Sequence, residues 1–171
     1  MKIVYTCFCT DVIHEGHMNI IHEAKKYGRV VVGVLSDEAS IRFNRFPGVS
    51  FTERINMVKS IPGVDEVIIQ NKVMYDEIIE KLHPDYVIHG DNWLEPPMRA
   101  IRDNVSTLLK KYGGKIIDVP YTYSEEIRHI DAQVKERLAM PEYRRKRLHQ
   151  LLQLPPLVKA IEVHRENHCG T

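Results

Sequence analysis

A chain of 171 residues, 43% of them hydrophobic, is long and apolar enough for one domain of ordinary size plus a short extension. Its 24 Lys and Arg nearly balance 23 Asp and Glu, so no bulk charge argues for nucleic acid or an anionic membrane surface, and any anion binding must be local. With no basic n-region leading into an apolar h-region, and no apolar run long enough to span a bilayer, the chain is expected to be cytoplasmic with neither nucleic acid nor membrane as partner.

The apolar run from Lys2 to Phe8 predicts a first strand through Val4, Tyr5 and Phe8, and Met18 to Tyr27, apolar at Met18, Ile20, Ile21 and Ala24, predicts a helix packed on a sheet. Arg29 to Leu35 is a near-continuous β-branched run, as in a parallel strand covered on both faces. Residues 65–70, 85–89 and 115–119 repeat it. Helical patterns fall at 50–61, 74–82 and 97–112, the last closed by Gly113-Gly114. This β-α-β alternation predicts an α/β fold, a doubly wound parallel five-stranded sheet with ligands at the carboxyl ends of its strands. From Met140 a basic cluster, Arg144-Arg145-Lys146-Arg147, marks a helical extension, which divides the chain into a domain over 1–139 and an extension over 140–171. Cys7 and Cys9 point to one face of the first strand, too close for an ordinary disulfide framework, and with Cys169 are read as reduced, buried thiols.

The most informative segment is His14-Glu15-Gly16-His17, where the first strand hands over to a helix. Glycine lets an anion approach the backbone, and the free N–H groups of the first turn carry the positive end of the helix dipole. Residues 14 and 17 are three apart, so both rings can face one spot in front of that N-terminus, an arrangement suited to a phosphorus centre gaining negative charge. Other readings of the tetrapeptide stand beside this one. His-x-x-His with His22 and Glu15 could hold zinc, and either histidine could be an N-cap or a core residue.

Asp11-x-x-His14-x-Gly16-His17, then Gly33-Val34-Leu35-Ser36-Asp37 and Glu53-Arg54 ahead of Val64-Asp65-Glu66-Val67, resemble the HxGH nucleotidyltransferase superfamily. Gly90-Asp91-Asn92-Trp93 narrows the resemblance to its cytidylyltransferase branch, over roughly residues 1–123. The resemblance implies a Rossmann-like nucleotidyltransferase fold and an enzyme that transfers CMP from CTP to an acceptor and releases pyrophosphate. It implies catalytic roles for His14, His17, Arg45 and Arg54, the arginines neutralising phosphate charge, with Arg42 a weaker candidate. Nucleotide contacts are implied at Thr10, Asp11, Gly16, Lys25, Gly33, Ser36, Asp37, Gly90, Asp91, Asn92, Trp93 and Ser124. Gly33 to Asp37 and Gly90 to Trp93 are expected just past the carboxyl ends of strands, with Asp91, Asn92 and Trp93 beside the base and ribose. A core or dimer-anchoring Trp93 is the competing reading. No protein ligand to a metal is expected; Mg²⁺ would arrive on the nucleotide phosphates, and a homodimer is expected from family habit.

Two segments depart from that pattern or extend it. Where the family commonly carries Gly-Ile-Ser-Ser/Thr-Thr, this chain reads Pro120-Tyr121-Thr122-Tyr123-Ser124-Glu125-Glu126-Ile127-Arg128. Ser124 can still cap a helix, but Glu125 and Glu126 occupy the dipole that would attract an anion. They could serve Mg²⁺ or a cationic substrate group, or the phosphate role could pass to Arg128 and His129. Residues 151–162, Leu151-Leu152-Gln153-Leu154-Pro155-Pro156-Leu157-Val158-Lys159-Ala160-Ile161-Glu162, resemble the linker and opening of a phosphoenolpyruvate mutase domain. That resemblance implies a mutase domain or partner in phosphonate biosynthesis, with 2-hydroxyethylphosphonate as first acceptor and 2-aminoethylphosphonate as second. Alternatives are glycerol 3-phosphate or phosphocholine as acceptor, transfer of AMP instead of CMP, and a non-catalytic nucleotide-binding module attached to a mutase.

Overall fold

A computed structural model describes residues 1–154 apart from 10, 44, 97, 121, 123, 124, 126, 127, 130, 131, 134, 135 and 137–139. The expectations at Thr10 and Ser124, and the mutase-like stretch beyond residue 154, lie outside the described residues.

Five strands, β1 (Ile3–Phe8), β2 (Arg29–Leu35), β3 (Glu66–Gln70), β4 (Tyr86–Gly90) and β5 (Lys115–Val119), form one sheet in the order β3-β2-β1-β4-β5. All neighbours pair in parallel, with Val4 of β1 opposite Val30 of β2 on one side and Tyr86 of β4 on the other. The five-stranded parallel sheet is the one expected from the sequence. Alternation along the strands divides the core. Val4, Phe8, Val30, Val32, Val34 and Ile88 face one layer, with Ile21 and Ala24 of helix α1 (Glu15–Lys25) and Val58 of α3 (Phe51–Lys59). Tyr5, Val31 and Val87 face the other, with Ile78 and Ile79 of α4 (Asp76–Leu82) and Val105, Leu108 and Leu109 of α5 (Arg99–Tyr112).

The chain builds outward from β1 through β2 to β3, then returns to the other side of β1 for β4 and β5. Strand order therefore reverses between β1 and β4, and the carboxyl ends of those two strands flank the crevice where such sheets take ligands. Ser50 and Glu53 cap α3 reciprocally, and Gly113 ends α5 at φ +76°, where a Cβ would be strained. Two short elements escaped the sequence reading: α2 (Asp37–Arg42) directly after β2, and a 3₁₀ turn (Asp91–Leu94) directly after β4. Both are too short for a periodicity to register. The basic segment forms α6 (Pro141–Leu152), with Pro at its first turn.

Candidate active site at the carboxyl edge of the sheet

The β1–α1 junction binds itself together with the same two histidines that could bind a ligand. His14 is the N-cap of α1, and its Nδ1 accepts the backbone N–H of Gly16 at 3.1 Å. His17, one turn on, returns the contact: its Nδ1 accepts the backbone N–H of His14 at 3.4 Å. An imidazole nitrogen that accepts is unprotonated, so in each neutral ring the proton sits on Nε2. Burial, with His14 and His89 nearby, drives the His17 pKa down to about 3, which keeps that ring neutral at physiological pH. The rings lie 4.0 Å apart between centroids, and the edge-to-face packing of His17 on Phe8 fixes its orientation. The expectations at His14, His17 and Gly16 thus meet at one helix N-terminus. The N-cap reading of His14 is correct, and the capping contact uses Nδ1.

His89, which the sequence reading passed over, is a third imidazole at this edge. It stands one residue before Gly90 at the end of β4, stacks on Trp93 at 4.4 Å, and has its pKa lowered by burial. Its Nδ1 lies 2.9 Å from the Gly90 carbonyl, which can only accept, so His89 carries its proton on Nδ1 and leaves Nε2 as an acceptor. That is the reverse of His14 and His17. Its signal in the sequence was position alone: a titratable residue at the carboxyl end of a strand.

The second arginine, Arg54, is buried at the end of β2, where the resemblance implied a cation open to phosphate. Its side chain is 1% exposed, donates to the Leu35 carbonyl at 2.8 Å and pairs with Asp37. It thereby braces the end of β2. Asp37 is spoken for by that pair, and Ser36 spends its hydroxyl on the backbone N–H of Ala39 as N-cap of α2. Gly33 is likewise corrected. It lies inside β2, buried opposite Cys7 and Ile68, because a Cβ there would sit 1.8 Å from the Tyr5 hydroxyl on its way to Gln70. The strand runs two residues past the point where the motif places the nucleotide contact.

Trp93 belongs to the core. It is 0% exposed, and its indole N–H donates to Asp118 at 2.6 Å, a carboxylate held at both oxygens by Arg102. That pairing keeps the Asp118 pKa below the usual carboxylate range. The neighbouring Asn92 is exposed and Asp91 half-buried on the same turn. Lys25 is at the far end of α1, about 16 Å from His14 along the helix, and forms an ion pair with Asp65 at 2.8 Å at the amino edge of the sheet. A helix that starts at the carboxyl edge runs toward the opposite one, which places Lys25 at the far end of α1 from His14.

Arg45 is exposed, and its loop reaches the site through Asp11, whose carboxylate accepts the Gly48 backbone N–H at 2.5 Å three residues before His14. Arg42 pairs with Glu38 one turn away on α2. In the segment after β5, Thr122 accepts from Asn19 of α1, while Arg128 and Glu125 face each other at 3.7 Å on the surface. Cys7 and Cys9 are free, half-buried thiols, and burial raises the Cys7 pKa well above the usual thiol range. Among the described residues no three His, Cys, Asp or Glu side chains gather as a metal site, and no helix is long and apolar enough to cross a membrane.

Comparison with known proteins brings the same segment forward. A family model described as Cytidylyltransferase-like matches residues 4–146. The bifunctional protein HldE of Desulfatibacillum aliphaticivorans is 30% identical over 122 residues, which cover 70% of this chain and 24% of that protein. The ethanolamine-phosphate cytidylyltransferase of Arabidopsis thaliana is 38% identical over 95 residues, 52% of this chain and 23% of that protein. The chain thus matches about a quarter of the length of either relative. The FAD synthase of Thermococcus onnurineus is 28% identical over 121 residues, 68% of this chain and 77% of that enzyme. The crystal structure of a lipopolysaccharide core biosynthesis protein from Thermoplasma volcanium superposes at a TM-score of 0.58 with 20% identity, over 73% of this chain and 99% of that one, and so shares the fold.

Proposed function

The chain belongs to the Cytidylyltransferase-like family, and on that premise we propose that it transfers CMP from CTP to a small phosphonate or phosphate monoester. 2-Hydroxyethylphosphonate is the first acceptor to test and 2-aminoethylphosphonate the second, a choice supported by the mutase-like residues 151–162. The observation that carries the reaction is the pair of neutral imidazoles at the N-terminus of α1, each with Nδ1 held by a backbone N–H and its proton therefore on Nε2.

An oxygen of the acceptor attacks the α-phosphorus of CTP in line; the new P–O bond forms as the bond to the bridging oxygen of the β-phosphate breaks, and pyrophosphate leaves with that electron pair. No covalent nucleophile is required, so catalysis is positioning and charge stabilisation. The two Nε2–H groups and the first-turn N–H groups of α1 are donors for the oxygens that gain charge, and they need no reorganisation because the fold has already fixed the tautomers. Arg45, exposed beside the Asp11 segment, is the cation available to the β- and γ-phosphates. Mg²⁺ would enter on the triphosphate and keep water and phosphate oxygens as ligands. Bound there, the ion would neutralise charge on the departing pyrophosphate. A second copy of the chain as dimer partner, a cytoplasmic setting and a mutase domain or partner complete the reading.

Pyrophosphate release with CTP and Mg²⁺ is the test, with 2-hydroxyethylphosphonate, 2-aminoethylphosphonate, phosphoethanolamine and glycerol 3-phosphate run in parallel. Release with a phosphonate alone supports the reading. Release with a phosphate monoester alone moves the acceptor. CTP binding with no release from any acceptor replaces the enzyme by a nucleotide-binding module.

A further inference from the structure

The loop at residues 45–50 joins α2 to α3 and is exposed at Arg45, Gly48 and Ser50, yet Phe46 within it is 9% exposed. What lies over its ring is the guanidinium of Arg147, 4.0 Å from the centroid, contributed by α6 from a hundred residues downstream. No residue of α6 is buried, so the helix adds nothing to the core. Its half-buried positions, Tyr143, Arg147, Gln150 and Leu151, are spaced as one helical face, and Arg147 lies within it. On its other side the loop is tied to the site: Gly48 donates to Asp11, and Arg45 donates its backbone N–H to Ser40 at 2.8 Å. Phe46 lies between those two ties, followed by Pro47.

We propose that Arg147 is a positioning residue: stacked on Phe46, it holds the loop that carries Arg45 in place, so that helix α6 sets the affinity of the site for the nucleotide phosphates. The inference rests on the proposed use of Arg45 but makes a mechanical claim that stands apart from it. A planar guanidinium covers an aromatic face better than an ammonium does, which is why arginine suits this place. An ordered loop presents Arg45 without losing chain entropy when nucleotide binds, so the contact acts on binding more than on the chemical step.

Two measurements on the full chain test this. In the first, trypsin cleavage of the Arg45–Phe46 bond is followed by mass spectrometry without nucleotide. R147A and F46L are each expected to speed that cut by about threefold or more, R147K to fall between R147A and the parent, and the double variant to add little to either single one. In the second, R147A is expected to raise KM for CTP about threefold while kcat stays within about twofold. Unchanged cleavage in both single variants, or strictly additive effects in the double one, overturns the proposal. Faster cleavage in a protein that releases no pyrophosphate leaves the proposal intact and overturns the enzymatic reading instead. An equal fall in kcat with KM unchanged would assign Arg147 to the chemical step and overturn the positioning role.

Discussion

The carboxyl ends of β1 and β2 are neighbours in the sheet, and the motif places ligand contacts at both, but they spend their polar groups differently. At the end of β2, Arg54 goes to the Leu35 carbonyl and Asp37, and Ser36 goes to the Ala39 N–H, so the groups that resemble a phosphate site are used to close the strand. At the end of β1, His14 and His17 each give one ring nitrogen to the backbone and are left with a proton on the other. A bifunctional ring can serve fold and ligand together. The Arg54 guanidinium is buried, with two of its nitrogens engaged by a carbonyl and a carboxylate and its Nε left without a hydrogen-bond partner, so in this geometry it faces the strand end and not solvent.

The largest test of that contrast is His17→Ala. It removes a donor fixed in place before the reaction, and turnover is expected to fall by at least about a hundredfold with little loss of folded protein. Asparagine at position 17 should restore part of the fold's contact without the donor geometry. Near-normal turnover in both variants would place the chemistry elsewhere. Arg54→Ala should do the converse. It leaves the Leu35 carbonyl buried without its donor and a void under α3, and is expected to cost about 2–4 kcal/mol of stability by denaturant titration. What folds should keep a near-parental KM for CTP. A stable Arg54→Ala protein with a sharply raised KM would return Arg54 to the phosphates and erase the contrast.

These two residues also show how far the sequence could be read. Strands β2 and β5 were legible to the residue, because a β-branched run buried on both faces has only one comfortable conformation. The His14–His17 junction was legible because its spacing and the strand-to-helix switch are local facts. Arg54, Gly33 and Trp93 were not, since motif position says that a residue sits near a strand end but not which way it points. Arg54 turns inward because Leu35 ends β2 with an open carbonyl; Gly33 is glycine because the Tyr5 side chain crosses it; Trp93 turns inward because Asp118, from the next strand, accepts its N–H. Each cause lies on a different element, far away in sequence. His89 was missed for the same reason: its reversed tautomer depends on the carbonyl of Gly90 and a ring stacked on Trp93.

Proton linkage separates the two strand ends again. The folded protein holds His17 with a pKa of about 3, against an ordinary histidine value near 6.5 in the unfolded chain. Between those values the unfolded chain binds a proton that the folded one refuses, so stability from this group is fully present above about pH 6.5 and is lost as pH falls toward 3. At about pH 5 the loss is on the order of 2 kcal/mol, and burial of His89 adds to it in the same direction. Midpoints of urea unfolding at about pH 7 and pH 5 measure it, and His17→Asn should flatten the dependence. The same neutrality means that turnover should show no break near pH 6.5 from His17. A break there that disappears in His17→Asn would mean the ring works as a cation.

The smallest expected effect belongs to Lys25, and it tests whether the site ends where the geometry of α1 says it does. Lys25 is half exposed, as is its partner Asp65, which also accepts the Val30 N–H at 2.7 Å and is held below the usual carboxylate range chiefly by the Lys25 contact. An exposed pair of this kind contributes little, so Lys25→Ala is expected to change stability by no more than about 0.5 kcal/mol. Its effect on KM for CTP should be smaller still, because the helix carries the side chain to the opposite edge of the sheet from His14. Asp65→Ala should cost more than Lys25→Ala, since it also frees the Val30 N–H at the start of β2. If Lys25→Ala instead raised KM several-fold while leaving the unfolding midpoint unchanged, substrate would have to reach around α1 to the amino edge, and a site confined to the carboxyl ends of β1 and β4 would be too small a description.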